Sequence, residues 1–492
     1  MKRWFSVLFL SVLLAPSSLV GCKCTTKVQE IVILSTNDIH SNLDNFPRLV
    51  SAVKACRDTT DCILVDAGDR WTGNAFVDYA PQARRPIVDL MNTLHYDVAT
   101  FGNHEFDSIP SFLKTMMDHY NFRVVCANIR STDGEFPEVA PYTILQHHGV
   151  KIGIAGVVTN YQNNHPEGKD RSFVGLEFSD PVQTAIEVSK ELRPKCDVMV
   201  LLSHIGEIPD TELANRPDNT YNIIIGGHSH SLLNTVIGNT TIGQTKKNLA
   251  YIGATTIRMR GRKIESIDYK NIPLTDYQPD EECQREVDKI TSDPYLNEVA
   301  GYNTAALDKT GLADLHTTII RDVVDAEVSF YHNGGIRLSN LAAGNVTRAD
   351  LINTDIFYSH IFTMDMTPEQ MRRMIITKFN GTNENESGKL DLFSTVEYRI
   401  VVDNDNDKHA VDVVFPTLEE GRKYKTALCN YIVDTYDDVD GENRVYYGEK
   451  GIPDYFMEYF EQHTPVTFSN EPRQRVVTQS EEQALHSQKS AA

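Results

Sequence analysis

Five short segments rich in Asp, Asn and His each follow an apolar run in the first half of the chain. Such runs predict strands buried on both faces, and open α/β sheets hold their ligands at the carboxyl ends of strands. One segment alone is uninformative because these residues also form turns. Five together restrict the fold to an α/β domain with a polar site at one sheet edge. The segments are Asp38-Ile39-His40, Gly68-Asp69, Gly102-Asn103-His104-Glu105, Ser203-His204 and Gly227-His228-Ser229-His230.

The order of predicted elements supports a layered α/β domain over residues 30–270. Apolar runs alternate with amphipathic helices, as is typical of α/β proteins. Two further β-like stretches, 249–257 and 263–269, close this unit. The strands are predicted at 31–34, 62–65, 96–99, 151–158, 198–202 and 221–225, and the helices at 46–56, 84–94 and 181–192.

A second, smaller unit is predicted over residues 301–477, because 492 residues exceed one ordinary domain. Residues 271–300 are predicted to form a linker and a connecting helix. A polar loop is predicted at 380–389 and a disordered tail at 478–492. The run 403–407 resembles a calcium loop, but Lys408 replaces the required glycine, which favours a hairpin turn.

Residues 1–21 predict a secretory signal, with Lys2-Arg3 before an apolar run too short to span a bilayer. The next residues, Leu19-Val20-Gly21-Cys22, resemble the lipobox of bacterial lipoproteins, which makes Cys22 a lipidated mature N-terminus. An unrelated cleavage point near Cys22 or Cys24 is the alternative. Residues 22–29 would form a linker. We therefore expect an exported protein, in the periplasm or at the cell surface, held to the membrane only by its lipid.

Export would also allow Cys56 and Cys62 to be oxidised, since only a short polar turn separates them. The formal net charge of −21 disfavours binding to a nucleic-acid polymer. A small phosphorylated ligand would need local cations instead.

Seven side chains of the five segments are candidate metal ligands. Carboxylate oxygen, amide oxygen and imidazole nitrogen together suit Zn, Mn or Fe. Seven donors are too many for one tetrahedral ion and suit two divalent ions that share a carboxylate. Such a pair activates water and clamps an in-line displacement, which predicts phosphoryl transfer from a small phosphorylated substrate. The candidate ligands are Asp38, His40, Asp69, Asn103, His204, His228 and His230.

These motifs, in this order, resemble those of the calcineurin-like metallophosphoesterases, and among them the exported 5′-nucleotidases and UDP-sugar hydrolases. The resemblance implies an N-terminal layered αββα domain and a smaller C-terminal α+β substrate domain. It implies that His104 stabilises charge on the phosphoryl group or leaving oxygen and that Asp107 holds it. It also implies one ion held by Asp38, His40 and His230, a second held by Asn103, His204 and His228, and a bridge through Asp69.

The second unit carries the rest of the resemblance. The segment 332–337 resembles one in which an arginine, here Arg337, holds a substrate phosphate and an asparagine, here Asn333, helps to bind the nucleoside. Phe357 and Tyr431 lie where the family places base-stacking aromatic residues. Asp437 approximates the acid that contacts ribose.

Two departures from the family pattern affect this unit. Two arginines and a Thr-Asn-Leu-Gly-Asn run are replaced around residues 307–316, where only Lys309 could substitute. A Gly-Gly-Asp-Gly turn after the second aromatic residue is also missing. The metal chemistry is thus better supported than the choice of substrate.

The resemblance implies hydrolysis of nucleoside 5′-monophosphates by in-line attack of a metal-bound hydroxide. UDP-sugar hydrolysis and 2′,3′-cyclic-nucleotide phosphodiesterase activity are alternatives of the same class. A catalytically silent surface nucleotide-binding protein is an alternative of another class. It would predict losses among the metal ligands, and the sequence has none.

Overall fold

A computed structural model describes residues 28–381 and 388–490, with side chains up to residue 487. The predicted signal at 1–21, Cys22, most of the linker at 22–29 and most of the polar loop at 380–389 lie outside the described residues. Within the described ranges, no helix combines the length and the apolar character needed to cross a bilayer.

Two six-stranded sheets form the centre of the N-terminal domain. In the first, Val28–Thr36 pairs in parallel with Cys62–Asp66 and antiparallel with Tyr251–Arg260. This sheet has the order Lys263–Pro273, Tyr251–Arg260, Val28–Thr36, Cys62–Asp66, Val98–Ala99 and Arg123–Val124. The second sheet has the order Leu232–Ile237, Thr240–Thr245, Ile223–Gly226, Val198–His204, Val150–Val158 and Tyr142–His147.

The sheets pack face to face, and helices cover their outer faces. Ile33 and Val65 of the first sheet share a buried core with Val200 and Ile225 of the second. This order of layers confirms the predicted αββα architecture. The first outer face is covered by Phe46–Arg57, Arg85–Thr93 and Pro110–Met117, and the second by Pro181–Leu192 and Glu207–Asn215.

The segment 271–300, predicted as a linker and a connecting helix, contains that helix but is otherwise more ordered than a linker. The last strand of the first sheet continues to Pro273, and the helix Glu281–Ile290 buries Cys283 and Val287 in the first domain's core. Lys54 on the helix Phe46–Arg57 also forms an ion pair of 2.6 Å with Asp280. The connecting helix therefore packs as part of the first domain.

The C-terminal domain is α+β and has its own core. A five-stranded sheet has the order Leu392–Ser394, Val328–His332, Tyr424–Cys429, Ile361–Met366 and Glu442–Tyr447. A three-stranded sheet has the order Asn406–Val414, Tyr398–Asp403 and Gln474–Thr478. The helices of this domain include Lys309–Val323, Arg348–Thr354, Pro368–Asn380, Asn430–Thr435 and Ile452–His463.

Two local predictions in this domain have opposite outcomes. The run 403–407 is a hairpin turn between Tyr398–Asp403 and Asn406–Val414, as predicted. The tail at 478–492 was predicted to be disordered, but the structure has a helix over Gln479–Ser490. Its Glu482 forms two hydrogen bonds of 2.6 Å with the buried guanidinium of Arg399. The polar composition of this tail does not indicate that Glu482 is buried against Arg399.

Candidate functional site

The five polar segments meet at one edge of the paired sheets. Four follow the strand that the sequence placed before them, although the strand predicted at 96–99 is reduced to Val98–Ala99, and Ser203-His204 is the end of the strand Val198–His204. Asp38 and His40 follow Val28–Thr36, and Asp69 follows Cys62–Asp66. The structure brings all seven candidate ligands together.

The donor atoms face one another at separations suited to a shared ion. His40 Nε2 lies 3.1 Å from His230 Nε2, and His230 Nε2 lies 3.4 Å from Asp38 Oδ1. Asp69 Oδ2 lies 3.9 Å from His40 Nε2 and 3.2 Å from His204 Nε2, so this carboxylate faces both sides of the site.

The other half of the site joins His228 and Asn103, whose Nδ1 and Oδ1 atoms lie 3.1 Å apart. His204 Nδ1 donates to the carbonyl of Ala67 at 2.7 Å, since a carbonyl oxygen can only accept. In the neutral ring that bond leaves the lone pair on Nε2, which is buried and lies 3.2 Å from Asp69 Oδ2 in a geometry that forms no hydrogen bond. The residues therefore fit a divalent metal.

The backbone at five of these seven ligands is left-handed. Their φ angles are 50° at Asp38, 48° at His40, 59° at Asp69, 73° at His228 and 54° at His230. Non-glycine residues rarely adopt such angles, which persist where the surroundings enforce them and which cluster at functional sites. The loops thus hold the ligands in strained positions.

A buried carboxylate ties two of these loops together. Glu105 accepts hydrogen bonds from the backbone amides of Asp69 at 3.0 Å, Arg70 at 3.0 Å and Gly102 at 2.6 Å. The fully buried Arg70 lies 3.5 Å from Glu105 and 3.6 Å from Asp66. Burial raises the pKa of Asp66 to about 7, against the charge of Arg70.

His104 lies on the same loop as Asn103 and faces the metal ligands. Its Nδ1 is 2.8 Å from Asp107 Oδ2, and its Nε2 is 3.9 Å from Asp69 Oδ2. Trp71 donates to the carbonyl of His104 at 2.6 Å. Burial alone would lower the pKa of His104, but the carboxylates of Asp107 and Asp69 outweigh it and raise that pKa.

The second domain reaches this site through Arg337 and Phe357. A guanidinium nitrogen of Arg337 lies 3.0 Å from His40 Nδ1 and 3.4 Å from the carbonyl oxygen of Thr72. The ring of Phe357 lies 5.7 Å from the ring of His104, and Arg337 lies over the same phenyl ring at 5.5 Å. Side chains of both domains therefore surround the same space beside the candidate ligands.

A cavity of about 330 Å³ opens beside this contact. Phe357 and Tyr431 both line it, together with Asn103, His104 and Arg337. Tyr431 is stacked on His332 with 4.4 Å between the ring centroids. Burial lowers the pKa of His332 to about 4, so this ring is neutral. The cavity offers flat aromatic surface next to the metal ligands.

The structure does not bring every predicted substrate residue to this cavity. Asp437 is exposed and lies outside its lining, so the predicted contact with ribose has no geometric support. Asn333 lines a neighbouring cavity instead. Conversely, Glu167 and Lys169 line the aromatic cavity and were missed. Both residues lie on a polar loop, and the composition of that loop does not predict that it lines a cavity.

The thiols of Cys56 and Cys62, which the sequence suggested as an oxidisable pair, are free. They lie on either side of the turn between the first helix and the strand Cys62–Asp66, which leads to Asp69. A hydrogen bond with Cys62, together with burial, raises the pKa of the Cys56 thiol.

Two protein-family models match the chain. Residues 31–232 match the calcineurin-like phosphoesterases, and residues 290–440 match the C-terminal domain of 5′-nucleotidases. These matches confirm the resemblance carried by the sequence motifs.

Individual relatives are distant. The trifunctional nucleotide phosphoesterase YfkN of Bacillus subtilis is 25% identical over 470 residues, which cover 82% of this chain and 32% of YfkN. The chain thus spans about a third of that relative. Protein UshA of Yersinia enterocolitica is 24% identical, with 92% of this chain and 94% of UshA covered.

Solved structures share the fold. The 5′-nucleotidase precursor from Thermus thermophilus superposes with a TM-score of 0.78 at 20% identity, covering 91% of this chain and 99% of that one. At this identity the likeness establishes the architecture of both domains.

The Glu105 network gives the first prediction. In Glu105→Gln one carboxylate oxygen becomes an amide NH₂ group, which cannot accept from the loop amides. We expect metal affinity to fall about tenfold or more, the effect usual for residues that support ligands. Titration of the metal-free protein with Mn²⁺ measures this, and the exposed Glu187→Gln serves as control. Unchanged affinity in Glu105→Gln would remove the supporting role.

Proposed function

We propose that this chain, which combines a calcineurin-like phosphoesterase domain with a 5′-nucleotidase C-terminal domain, hydrolyses phosphate esters and acts mainly on nucleoside 5′-monophosphates. The observation that carries this proposal is the approach of Arg337 and Phe357 to His40 and His104. A ligand held by the second domain would have its phosphate at the metal ligands of the first.

Two divalent ions would occupy the site. Asp38, His40 and His230 would hold one, Asn103, His204 and His228 the other, and Asp69 would bridge them, in keeping with the two sides that its carboxylate faces. When bound, the ions supply Lewis-acid activation of water and of the phosphoryl oxygens.

The chain's own side chains would position and neutralise the substrate. Arg337 presents a planar guanidinium suited to a phosphate. His104, whose proton is stabilised by Asp107, would donate to the phosphoryl group or leaving oxygen from Nε2. Phe357 and Tyr431 would stack on the base inside the aromatic cavity. This placement converts remote binding energy into orientation of the reacting phosphorus.

A panel of substrates tests the proposal. AMP, UDP-glucose, 2′,3′-cyclic AMP and p-nitrophenyl phosphate would be compared by kcat/KM with Mn²⁺ or Zn²⁺ present. We expect AMP to rank first. A higher rank for UDP-glucose or the cyclic nucleotide would favour the alternatives within the class. If none of the four is hydrolysed, the protein would be a catalytically silent nucleotide-binding protein that has kept all seven candidate metal ligands.

A pair of variants separates metal binding from turnover. Asp69→Asn removes the bridging charge, so we expect bound metal to fall below two ions per chain and hydrolysis to fall by orders of magnitude. His104→Ala should keep both ions and lose turnover. Metal analysis by mass spectrometry beside the activity assay measures both effects.

The same pair tests the assignment of His104. His40, Asp69 and His104 also lie close enough to share an ion. Loss of metal in His104→Ala as large as in Asp69→Asn would make His104 a ligand. Two tightly held ions in Asp69→Asn would end the bridging assignment.

The aromatic cavity gives a prediction about substrate preference. Phe357→Ala and Tyr431→Ala should each lower kcat/KM for AMP about tenfold or more, from about 1–3 kcal/mol of lost stacking. Hydrolysis of p-nitrophenyl phosphate should change much less. The exposed Tyr446→Ala, on an edge strand outside the cavity, is the matched control. Equal losses on both substrates would show that these rings only support the fold.

We also propose that the protein is exported and anchored by a lipid on Cys22, on the basis of the segment Leu19-Val20-Gly21-Cys22. Cys22→Ser should abolish labelling by a radioactive or clickable fatty acid and release active enzyme from the membrane fraction. Unchanged membrane partitioning of the variant would point to another anchor.

A further inference from the structure

Another group of metal-ligating side chains lies at the opposite edge of the first domain. Asp61 immediately precedes the strand Cys62–Asp66 of the first sheet, and His147 and His148 lie at a hairpin turn of the second sheet. Donor atoms of these three residues all lie within 4.8 Å of one another. The group is thus at the amino ends of strands from both sheets, whereas the seven candidate ligands described above lie at the carboxyl ends.

The hairpin places the two histidines side by side. Its strands are paired as far as His147 and Val150, so that His148 and Gly149 alone form the turn. The φ angles of 49° at His148 and 82° at Gly149 are both positive, as the commonest two-residue hairpin turn requires. The two imidazole rings lie 4.2 Å apart at an angle of 70°. The turn therefore offers two imidazoles at one point of the surface.

Asp61 faces this turn from the other sheet. Its Oδ2 lies 3.7 Å from His147 Nδ1, which is too long for a hydrogen bond. Two ligands of a tetrahedral zinc ion, each about 2.0–2.2 Å from the metal, lie about 3.4 Å apart. The side chains of Asp61 and His148 are exposed, so small rotations can bring their donor atoms to that separation, while the buried His147 stays in place.

The buried histidine can supply a lone pair at neutral pH. Burial and the neighbouring His148 lower the pKa of His147, although Asp61 opposes that shift. A neutral imidazole binds a metal without first losing a proton. Two imidazoles and one carboxylate suit Zn²⁺, Ni²⁺ or Cu²⁺, whereas Mg²⁺ and Ca²⁺ prefer oxygen ligands.

We propose that Asp61, His147 and His148 bind a transition-metal ion of the zinc type, in addition to the ions at the catalytic site, with water completing its coordination. This proposal does not depend on the proposed function. Because Asp61 belongs to the first sheet and the hairpin to the second, the bound ion would cross-link the two sheets. It would stabilise the first domain and take no part in hydrolysis.

The surroundings of this site predict weaker binding than at the catalytic site. At the catalytic site, the second ring nitrogen of His204 donates to the carbonyl of Ala67. His147 Nε2, in contrast, is buried and has no hydrogen-bond partner among the residues that the structure describes. Loss of such a supporting hydrogen bond lowers metal affinity about 10–100-fold. Titration with Zn²⁺ should therefore show a separate, weaker step.

The test counts the zinc bound to the full chain, by elemental mass spectrometry, over a series of buffered Zn²⁺ concentrations. His148→Asn removes the imidazole but keeps the turn, because Asn-Gly is a favoured pair in such hairpins. Asp61→Ala removes the carboxylate at an exposed position. We expect each variant to lack the weaker step and to bind one zinc ion fewer than the unmodified protein. The exposed His409→Gln, in the C-terminal domain, is the matched control and should bind the same number as the unmodified protein.

Thermal unfolding tests the cross-link. A ligand that binds only the folded state raises its stability by mass action, so Zn²⁺ at the concentrations of the weaker step should raise the unfolding midpoint. We expect this rise to be about 2–4 °C larger in the unmodified protein than in His148→Asn. An equal rise in both proteins would refute the cross-linking role.

Two results would overturn the metal site itself. One is an equal number of zinc ions in the unmodified protein, His148→Asn and Asp61→Ala at every zinc concentration. The other is a loss of Mn²⁺-dependent hydrolysis together with the loss of zinc in His148→Asn, since the missing ion would then be a catalytic one. The zinc count requires no active enzyme, so it distinguishes failure of this proposal from failure of the proposed function.

Discussion

The buried carboxylate of Glu105 is the contact on which the site's geometry depends. It accepts hydrogen bonds from three backbone amides in two loops that follow different strands, and the buried Arg70 offsets its charge. Hydrogen bonds to charged groups are worth about 1.5–3 kcal/mol each, and a buried charge without its partner is far more costly. Gly102 allows the close approach, because a Cβ there would lie 2.2 Å from Asp69 Oδ1. Asp69 and Asn103 therefore have little freedom to move apart.

The fold of the first domain, and the meeting of its seven candidate ligands at one edge, could be predicted from the sequence because two signals coincide. Apolar runs marked the buried strands, and the polar segments after them had to share an edge. The strand predicted at 96–99 is only Val98–Ala99 in the structure. The bounds of a strand depend on its pairing with neighbouring strands, and an apolar run in the sequence does not show that pairing. The second domain was less predictable. Lys169 reaches the cavity from an ordinary polar loop, and the exposed Asp437 was placed there by resemblance alone.

The division of labour between the domains has an energetic basis. Metal ligands need rigid placement, and the first domain supplies it with two packed sheets and loops held by buried hydrogen bonds. Recognition of the proposed nucleotide needs surface area, and the second domain offers Phe357, Tyr431 and Arg337 on the opposite side of the cavity. Ala75 N donates to Asn353 Oδ1 at 2.6 Å, Ala75 is buried in the second domain's core, and Phe76 packs against the cores of both domains. Beside this apolar contact, Arg337 meets His40 across the interface, which suits the phosphorylated substrate proposed above.

The left-handed backbone at five of the ligands restricts how such a site can change over generations. Asp and Asn tolerate these angles better than most residues, whereas a β-branched side chain is strongly disfavoured there. Replacement of His40 or Asp69 by valine or isoleucine would therefore destabilise the fold, whatever its effect on metal binding. Exchange of one donor for another is confined to a few polar residue types. The backbone conformation of these turns thus limits which substitutions the fold tolerates, independently of their effect on metal binding. It also limits the substitutions by which the metal preference of the site could change.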